Sequence, residues 1–225
     1  MDISREIKYI DFHTHHGGGN DDTVAVVNLM AGDSVPDIFQ PNTLFSAGIH
    51  PWYLTADNAG DLKANLLLSL AHPHVIMIGE AGFDLIRGPE KKLQYDTFCY
   101  QASLAEEMRR PVIIHCVKGW DLLLKAKEEL RPSVKWIIHG FRGKGSLART
   151  LVAEGFYFSL GLNGISDEII DAAGIDRIMP ETDASGEGIS KVYSKFSGVT
   201  GRSEDELSAI FRCNFNSLFI HTDIK

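Results

Sequence analysis

At 225 residues, 44% of them hydrophobic and 23% charged, the chain can bury a sizeable core and leaves little room for a long disordered arm. A formal net charge of −8 excludes nucleic-acid binding through a broad basic surface, though not a local anion site. No run approaches the roughly 18 apolar residues of a membrane-spanning helix, and MDISREIKYI at the N-terminus lacks the apolar stretch of a signal peptide. Cys99, Cys116 and Cys213 have no paired spacing, so a single-domain cytosolic protein, 1–225, with reduced and buried thiols is expected.

Eight short runs rich in β-branched and aromatic residues follow one another at 8–14, 24–30, 44–50, 75–82, 111–117, 135–141, 155–161 and 177–183. Each reads as a strand. After the third, 57–71 carries Leu62, Leu66 and Leu70 at helical spacing; after the fourth, Leu93, Tyr100, Leu104 and Met108 share one helical face. Leu122, Leu123, Ala126 and Leu130 do the same after the fifth. Beyond the eighth, a capping box from Ser203 to Glu206 opens a helix whose apolar face is Leu207, Ile210, Phe211, Phe215 and Leu218. Strand and helix in alternation imply parallel strands buried on both faces, and eight units suit an α/β fold of the (β/α)8 TIM-barrel class. An open doubly wound sheet is the alternative.

The first third departs from that ideal, with outer helices shortened or missing. Only 17–22 separate the first two runs, whereas parallel neighbours normally need a crossover of about a dozen residues. Either an extended return replaces the first helix or the second strand runs differently. The barrel surface left bare is expected to be covered by a terminal segment or by a second copy of the chain in a homo-oligomer.

The carboxyl ends of the strands, where barrel active sites are built, carry His13 and His15 (first), His50 (third), Glu80 (fourth), His115 (fifth), His139 (sixth) and Asp183 (eighth). A lone histidine after an apolar strand is more often a hydrogen-bonded rim residue; the whole set at one end reads as a metal site. His16, His72, His74 and His221 stand outside the pattern and read as loop or terminal residues. Residues two apart on a strand point the same way, so Asp11, His13 and His15 face the barrel axis while Phe12 and Thr14 face outward. Two imidazoles can then grip one ion, and Asp11, one step deeper, can accept a ring N–H or order the floor.

These ligands are too many for one catalytic zinc, so two divalent ions are expected: His13, His15 and Asp183 for one, His115 and His139 for the other, with Glu80 bridging. The nitrogen and oxygen donors suit Zn, Mn or Mg. Two carboxylates, two divalent ions and a bridging hydroxide sum to roughly +1, so anionic substrates are admissible. Asp183 is placed to take a proton from the attacking water. Arg87, Lys118, Arg142, Lys144 and Lys191 follow the same strand ends and are the candidate phosphate holders; solvated loop charge is the plainer reading of each.

With these residues in view the chain resembles the TatD family of metal-dependent deoxyribonucleases, within the amidohydrolase-like barrels. The resemblance rests on DFHTH at 11–15, GIHP at 48–51, GEAGFD at 79–84, PVIIHC at 111–116, IIHGF at 137–141, GFYFSLG at 155–161, ETDA at 181–184 and NFNSLF at 214–219. It implies a binuclear hydrolase with ligands His13, His15, Glu80, His115, His139 and Asp183, and a substrate-facing His50 that binds phosphate or protonates the leaving group. The chain departs from the family in a much shorter segment between the first two strands and in HCVKG in place of the usual arginine after HC. ETDA also runs into SGEGIS instead of a proline and aromatic loop, and the later Asn-x-Pro element is absent. These elements line or support the mouth, so the metal chemistry carries over and the DNA substrate does not. The leading expectation is hydrolysis of a phosphodiester in DNA or a small nucleotide. Hydrolysis of an amide or lactone and a non-catalytic metal-binding scaffold are the alternatives.

Overall fold

The computed structural model describes residues 3–4 and 6–220; His221 lies outside them. Eight strands, β1 (Tyr9–Thr14), β2 (Thr23–Met30), β3 (Thr43–Gly48), β4 (Val75–Asp84), β5 (Val112–Val117), β6 (Trp136–Ile138), β7 (Tyr157–Leu160) and β8 (Ile178–Pro180), pair side by side in chain order. They run parallel, and a bridge from Thr14 to Asp183 joins the first strand to the chain just past the last. This is the (β/α)8 barrel expected from the alternation. β1 ends at Thr14 as expected, with His15 just beyond it; other strands are shorter than the apolar runs, so His50, His139 and Asp183 also stand just beyond regular pairing, while β4 runs two residues further than expected, to Asp84.

Seven helices follow the strands: α1 (Ala59–Leu70), α2 (Lys91–Met108), α3 (Trp120–Leu130), α4 (Gly145–Ala153), α5 (Asp167–Ala173), α6 (Ile189–Thr200) and α7 (Glu204–Ser217). None of the described helices is long and apolar enough to cross a membrane. The described chain has no helix between β1 and β2 or between β2 and β3. β2 nevertheless runs parallel to β1, with Tyr9 opposite Thr23 and Asp11 opposite Ala25, so an extended return replaces the first helix. Its backbone is tied down by Gly19 N–H to Thr43 Oγ1 at 2.8 Å, and by Asn42 Nδ2 to the Asn20 carbonyl at 2.7 Å. A side chain at Gly19 would place its Cβ 2.3 Å from the Asn42 carbonyl oxygen, so only glycine permits that approach. Ala25 and Leu29, on the face of β2 opposite Asn28, are buried by the chain itself, which reduces the bare surface that the missing helices implied.

The described chain forms two compact units. The first comprises Phe39–Leu44, Ile137–Ile220 and the described part of Met1–Val27. In it the outward Phe12 meets Phe215 of α7 edge-on at 6.2 Å, while Tyr193 of α6 takes the Ile10 N–H on its hydroxyl at 3.0 Å. The capping box of α7 is complete: Ser203 Oγ accepts the Glu206 N–H, and the Glu206 carboxylate accepts the Ser203 N–H at 2.8 Å.

The second unit comprises Asn28–Ile38 and Phe45–Trp136, with Phe83, Phe98 and Trp136 stacked in succession at 4.9 and 5.1 Å. α2 turns a different face inward from the one its leucines predict. Its buried residues are Gln94, Thr97, Phe98, Gln101, Ala102 and Ala105, whereas Met108 is exposed. The reason is hydrogen bonding. Gln94 accepts the Asp84 N–H at 2.8 Å and donates to the Asp84 carbonyl at 3.1 Å; Gln101 grips Ile49 in the same two-way fashion at 2.7 and 3.2 Å. The three thiols are free, but they are not all buried: Cys99 and Cys116 are half-buried and Cys213 is exposed.

Candidate metal centre

In the first unit, β1 delivers His13 and His15 and the turn after β8 delivers Asp183. Asp183 has φ 54°, a left-handed conformation that aspartate tolerates better than most residues. Its backbone continues the ladder, with Asp183 N–H to the His13 carbonyl at 2.9 Å and His15 N–H to the Asp183 carbonyl at 3.1 Å. The side chains follow: Asp183 Oδ1 lies 3.5 Å from His15 Nε2 and 3.8 Å from His13 Nε2. The His139 ring lies 4.5 Å from that of His13, centre to centre.

Two residues that the strand-end pattern did not single out hold this cluster. Glu181, fully buried, accepts Gly140 N–H at 2.7 Å and the Ser159 hydroxyl, tying the turn after His139 to the start of ETDA. Burial pushes its carboxyl up to about 7, against the opposing pull of His139 and Ser159. Thr182 is bound by Asp11 through its N–H at 2.9 Å and its hydroxyl at 2.6 Å. Asp11 therefore orders the floor of the site by holding the residue before Asp183.

Burial also raises the Asp11 carboxyl, to about 7, with the Thr182 hydrogen bonds only partly offsetting it. A carboxyl raised in the fold favours the protonated form. Its contribution to stability is thus full below the unfolded value of about 4 and is lost as pH climbs through 7. In the metal-free protein, the wild type should lose more thermal stability between pH 4 and 7 than Asp11→Asn does. Parallel melting curves by circular dichroism would refute the assignment.

In the second unit, β4 presents Glu80 and Asp84 on one face, four residues apart, with Gly82 between them. A Cβ at Gly82 would lie 2.1 Å from the His115 carbonyl oxygen on β5, and φ there is 145°. Asn28 sets the height of Glu80: its Oδ1 accepts Glu80 N–H at 2.8 Å and the Ser46 hydroxyl at 3.0 Å. Glu80 Oε1 then lies 3.0 Å from His115 Nδ1 and 3.1 Å from His50 Nε2. His50 Nδ1 accepts the Trp52 N–H at 3.1 Å, capping the short 3-10 turn Pro51–Tyr53. Its proton must therefore sit on Nε2, which makes His50 a donor toward Glu80.

His115 has carboxylates at both nitrogens, Asp84 Oδ2 being 3.2 Å from Nε2. Asp84 also accepts Trp52 Nε1–H at 2.6 Å and the N–H groups of Ile86 and Arg87 at 2.8 and 2.9 Å. Burial alone would raise the Asp84 carboxyl, but these hydrogen bonds outweigh it and hold the group at about 2.

The donor sets fit divalent ions. His13, His15 and Asp183 each place a ligand atom within 4.8 Å of the others, and so do His50, Glu80 and His115. Two ligands of one ion at about 2.1 Å lie about 3.0–3.5 Å apart, close to the His15–Asp183 and His115–Glu80 separations. His50 is the exception, because its facing nitrogen carries a proton.

The basic candidates separate. Arg87 lies over Trp52, its guanidinium carbon 3.5 Å from the ring centre, beside His50 and Asp84. Arg142 lines a cavity of about 480 Å³ with Asn163, Glu181, Thr182, Asp183 and Ser185. Lys118 and Lys144 are exposed, and Lys191 is paired at the surface with Glu187, four residues before it. His16 and His74 are exposed, and His72 Nδ1 accepts the His74 N–H at 3.2 Å.

Comparison with known proteins follows the same lines. A family model described as TatD related DNase matches residues 34–220. The metal-dependent hydrolase YcfH of Escherichia coli is 31% identical over 153 residues, 64% of this chain and 56% of that protein. The 3'-5' ssDNA/RNA exonuclease TatD of Erwinia amylovora is 31% identical over 150 residues, 62% and 57% of the two chains. The chain thus spans little more than half the length of these curated relatives. The crystal structure of a TatD family hydrolase from Entamoeba histolytica matches in fold, with a TM-score of 0.74 at 17% identity over 97% of this chain and 100% of that one.

Proposed function

The chain belongs to the TatD related DNase family, and from that premise we propose that it is a metal-dependent hydrolase cleaving a phosphodiester bond in single-stranded nucleic acid or a small nucleotide. The observation that carries this reading is that each compact unit brings its own nitrogen and oxygen donors together. Two divalent ions are proposed, with His13, His15, His139 and Asp183 as ligands in the first unit and Glu80 and His115 in the second. When bound, such ions lower the pKa of water and polarise the phosphoryl oxygen under attack.

The chain's own groups supply the rest. Asp183, partly exposed and at the edge of the cavity, takes the proton of the attacking water. His50 holds a proton on Nε2, the state needed to donate to a phosphate oxygen or to the leaving group. Arg87, held over the Trp52 ring, and Arg142, in the cavity wall, offer guanidinium donors to the phosphates. An anionic substrate is also favoured by charge: one divalent ion in the second unit and Arg87 contribute +3 against the −2 of Glu80 and Asp84, and one in the first contributes +2 against the −1 of Asp183.

Metal analysis joined to a substrate panel tests the reading. Chain stripped by a chelator and reloaded with Mn²⁺ or Zn²⁺ should hold about two ions and hydrolyse single-stranded DNA or a bis-aryl phosphodiester only when loaded. Turnover of acyl amides alone would replace the phosphodiester assignment, and failure to bind any divalent ion would end the hydrolase reading.

A further inference from the structure

We infer that Asp84 is a positioning residue that selects the His115 tautomer and so decides which ring nitrogen is offered to a metal ion. The inference rests on the reading of His115 as a ligand; its tautomer is open to measurement without any metal. An ionised carboxylate only accepts hydrogen bonds, and Asp84 is held as one by three N–H donors: Trp52 Nε1 on Oδ2, and the Ile86 and Arg87 amides on Oδ1. Gln94 clamps its main chain from both sides. The ring nitrogen facing this fixed acceptor is His115 Nε2, at 3.2 Å, and in the tautomer we infer it carries the hydrogen.

The other nitrogen, Nδ1, lies 3.0 Å from Glu80 Oε1, and two carboxylates thus compete for one proton. Each facing oxygen already accepts one N–H, Glu80 Oε1 from His50 at 3.1 Å and Asp84 Oδ2 from Trp52 at 2.6 Å; what favours Asp84 is that the Ile86 and Arg87 amides and the Gln94 clamp hold its carboxylate in place as an acceptor. Nδ1 is left with a lone pair aimed at a carboxylate oxygen, an arrangement that a cation between them relieves. With the tautomer reversed, Nδ1 would hold the hydrogen, and ligation there would first require the proton to move to Nε2.

The test is a two-bond ¹H–¹⁵N correlation spectrum of the full, metal-free chain, labelled in histidine nitrogen, at a pH where imidazoles are neutral. Wild-type His115 should show the Nε2–H form. Asp84→Asn presents an amide whose NH₂ cannot accept on one of two sides that both receive N–H groups, so His115 should move toward Nδ1–H. Zn²⁺ affinity at one of the two sites, followed by calorimetry, should fall about 10- to 100-fold. Trp52→Phe removes another donor to the same oxygen and should leave the tautomer unchanged. An Nδ1–H tautomer in the wild type would overturn the inference, a measurement that stands even if Asp84→Asn does not fold. An unaltered His115 in folded Asp84→Asn would overturn it too. A tautomer that responds as expected in a chain that binds no Zn²⁺ would support the positioning role and remove only the hydrolase reading.

Discussion

On the proposed function, Asp183→Ala is expected to fold, to bind about one divalent ion fewer than the wild type and to hydrolyse phosphodiesters at least about 10³-fold more slowly. The first part follows from what the backbone does. The main-chain bonds to His13 and His15 do not involve the carboxylate, and the side chain is partly exposed, so truncation leaves no sealed void. The left-handed φ of 54° costs alanine more than aspartate, roughly 1–2 kcal/mol, a loss that thermal melting should register as modest. The second part follows from the ligand geometry. Asp183 supplies the oxygen that closes the cluster with His13 and His15, and it is also the proposed base, so its removal strikes binding and chemistry together. Metal content by elemental analysis and turnover of a bis-aryl phosphodiester separate the two effects. Full metal with full activity would reject both assignments.

Gly82→Ala should be the most destabilising single-carbon change in this part of the chain. The added Cβ would sit 2.1 Å from the His115 carbonyl oxygen, far inside contact distance, and the obstacle is main chain. The φ of 145° is also a conformation that L side chains rarely adopt. Both strain and collision point to a loss of about 3–5 kcal/mol, near the upper end of single-residue effects, measurable by urea denaturation. Because Gly82 pairs with His115 across β4 and β5, relief of the clash must displace that histidine. A folded remnant of the variant should accordingly bind Zn²⁺ more weakly at one site. A stability within about 1 kcal/mol of the wild type would show that the strands can part without cost.

The period of two along a strand was enough to put His13 and His15 together, and the recurrence of apolar runs was enough for the barrel. Other features depend on partners distant in sequence. The direction of β2 is set by its pairing with β1 and by the bonds of Gly19 and Asn42, none of which leaves a local pattern. The inner face of α2 was misread because polar Gln94 and Gln101 are buried there for hydrogen bonding, displacing Leu93, Tyr100 and Leu104 to its flanks. α6 is legible too, since Ile189, Val192, Tyr193 and Phe196 fall at helical spacing, although the sequence reading names no helix there. Asp84 does carry a signal: it continues the alternation from Glu80 through Gly82, two residues beyond the apolar run that ends at Gly82. Glu181 had a weaker one, lying next to Thr182 and two residues before Asp183, and its burial is a property of the folded chain alone.

The two glutamines of α2 stand seven residues apart, two helical turns, and each grips the main chain at the end of a different strand. Fraying of either strand end therefore breaks bonds to the same helix, and sliding of that helix strains both grips at once. Asp84 and the segment leading to His50 are coupled in this way into a single cooperative opening unit, so local breathing can dismantle the donor cluster of the second unit only by releasing a whole helix.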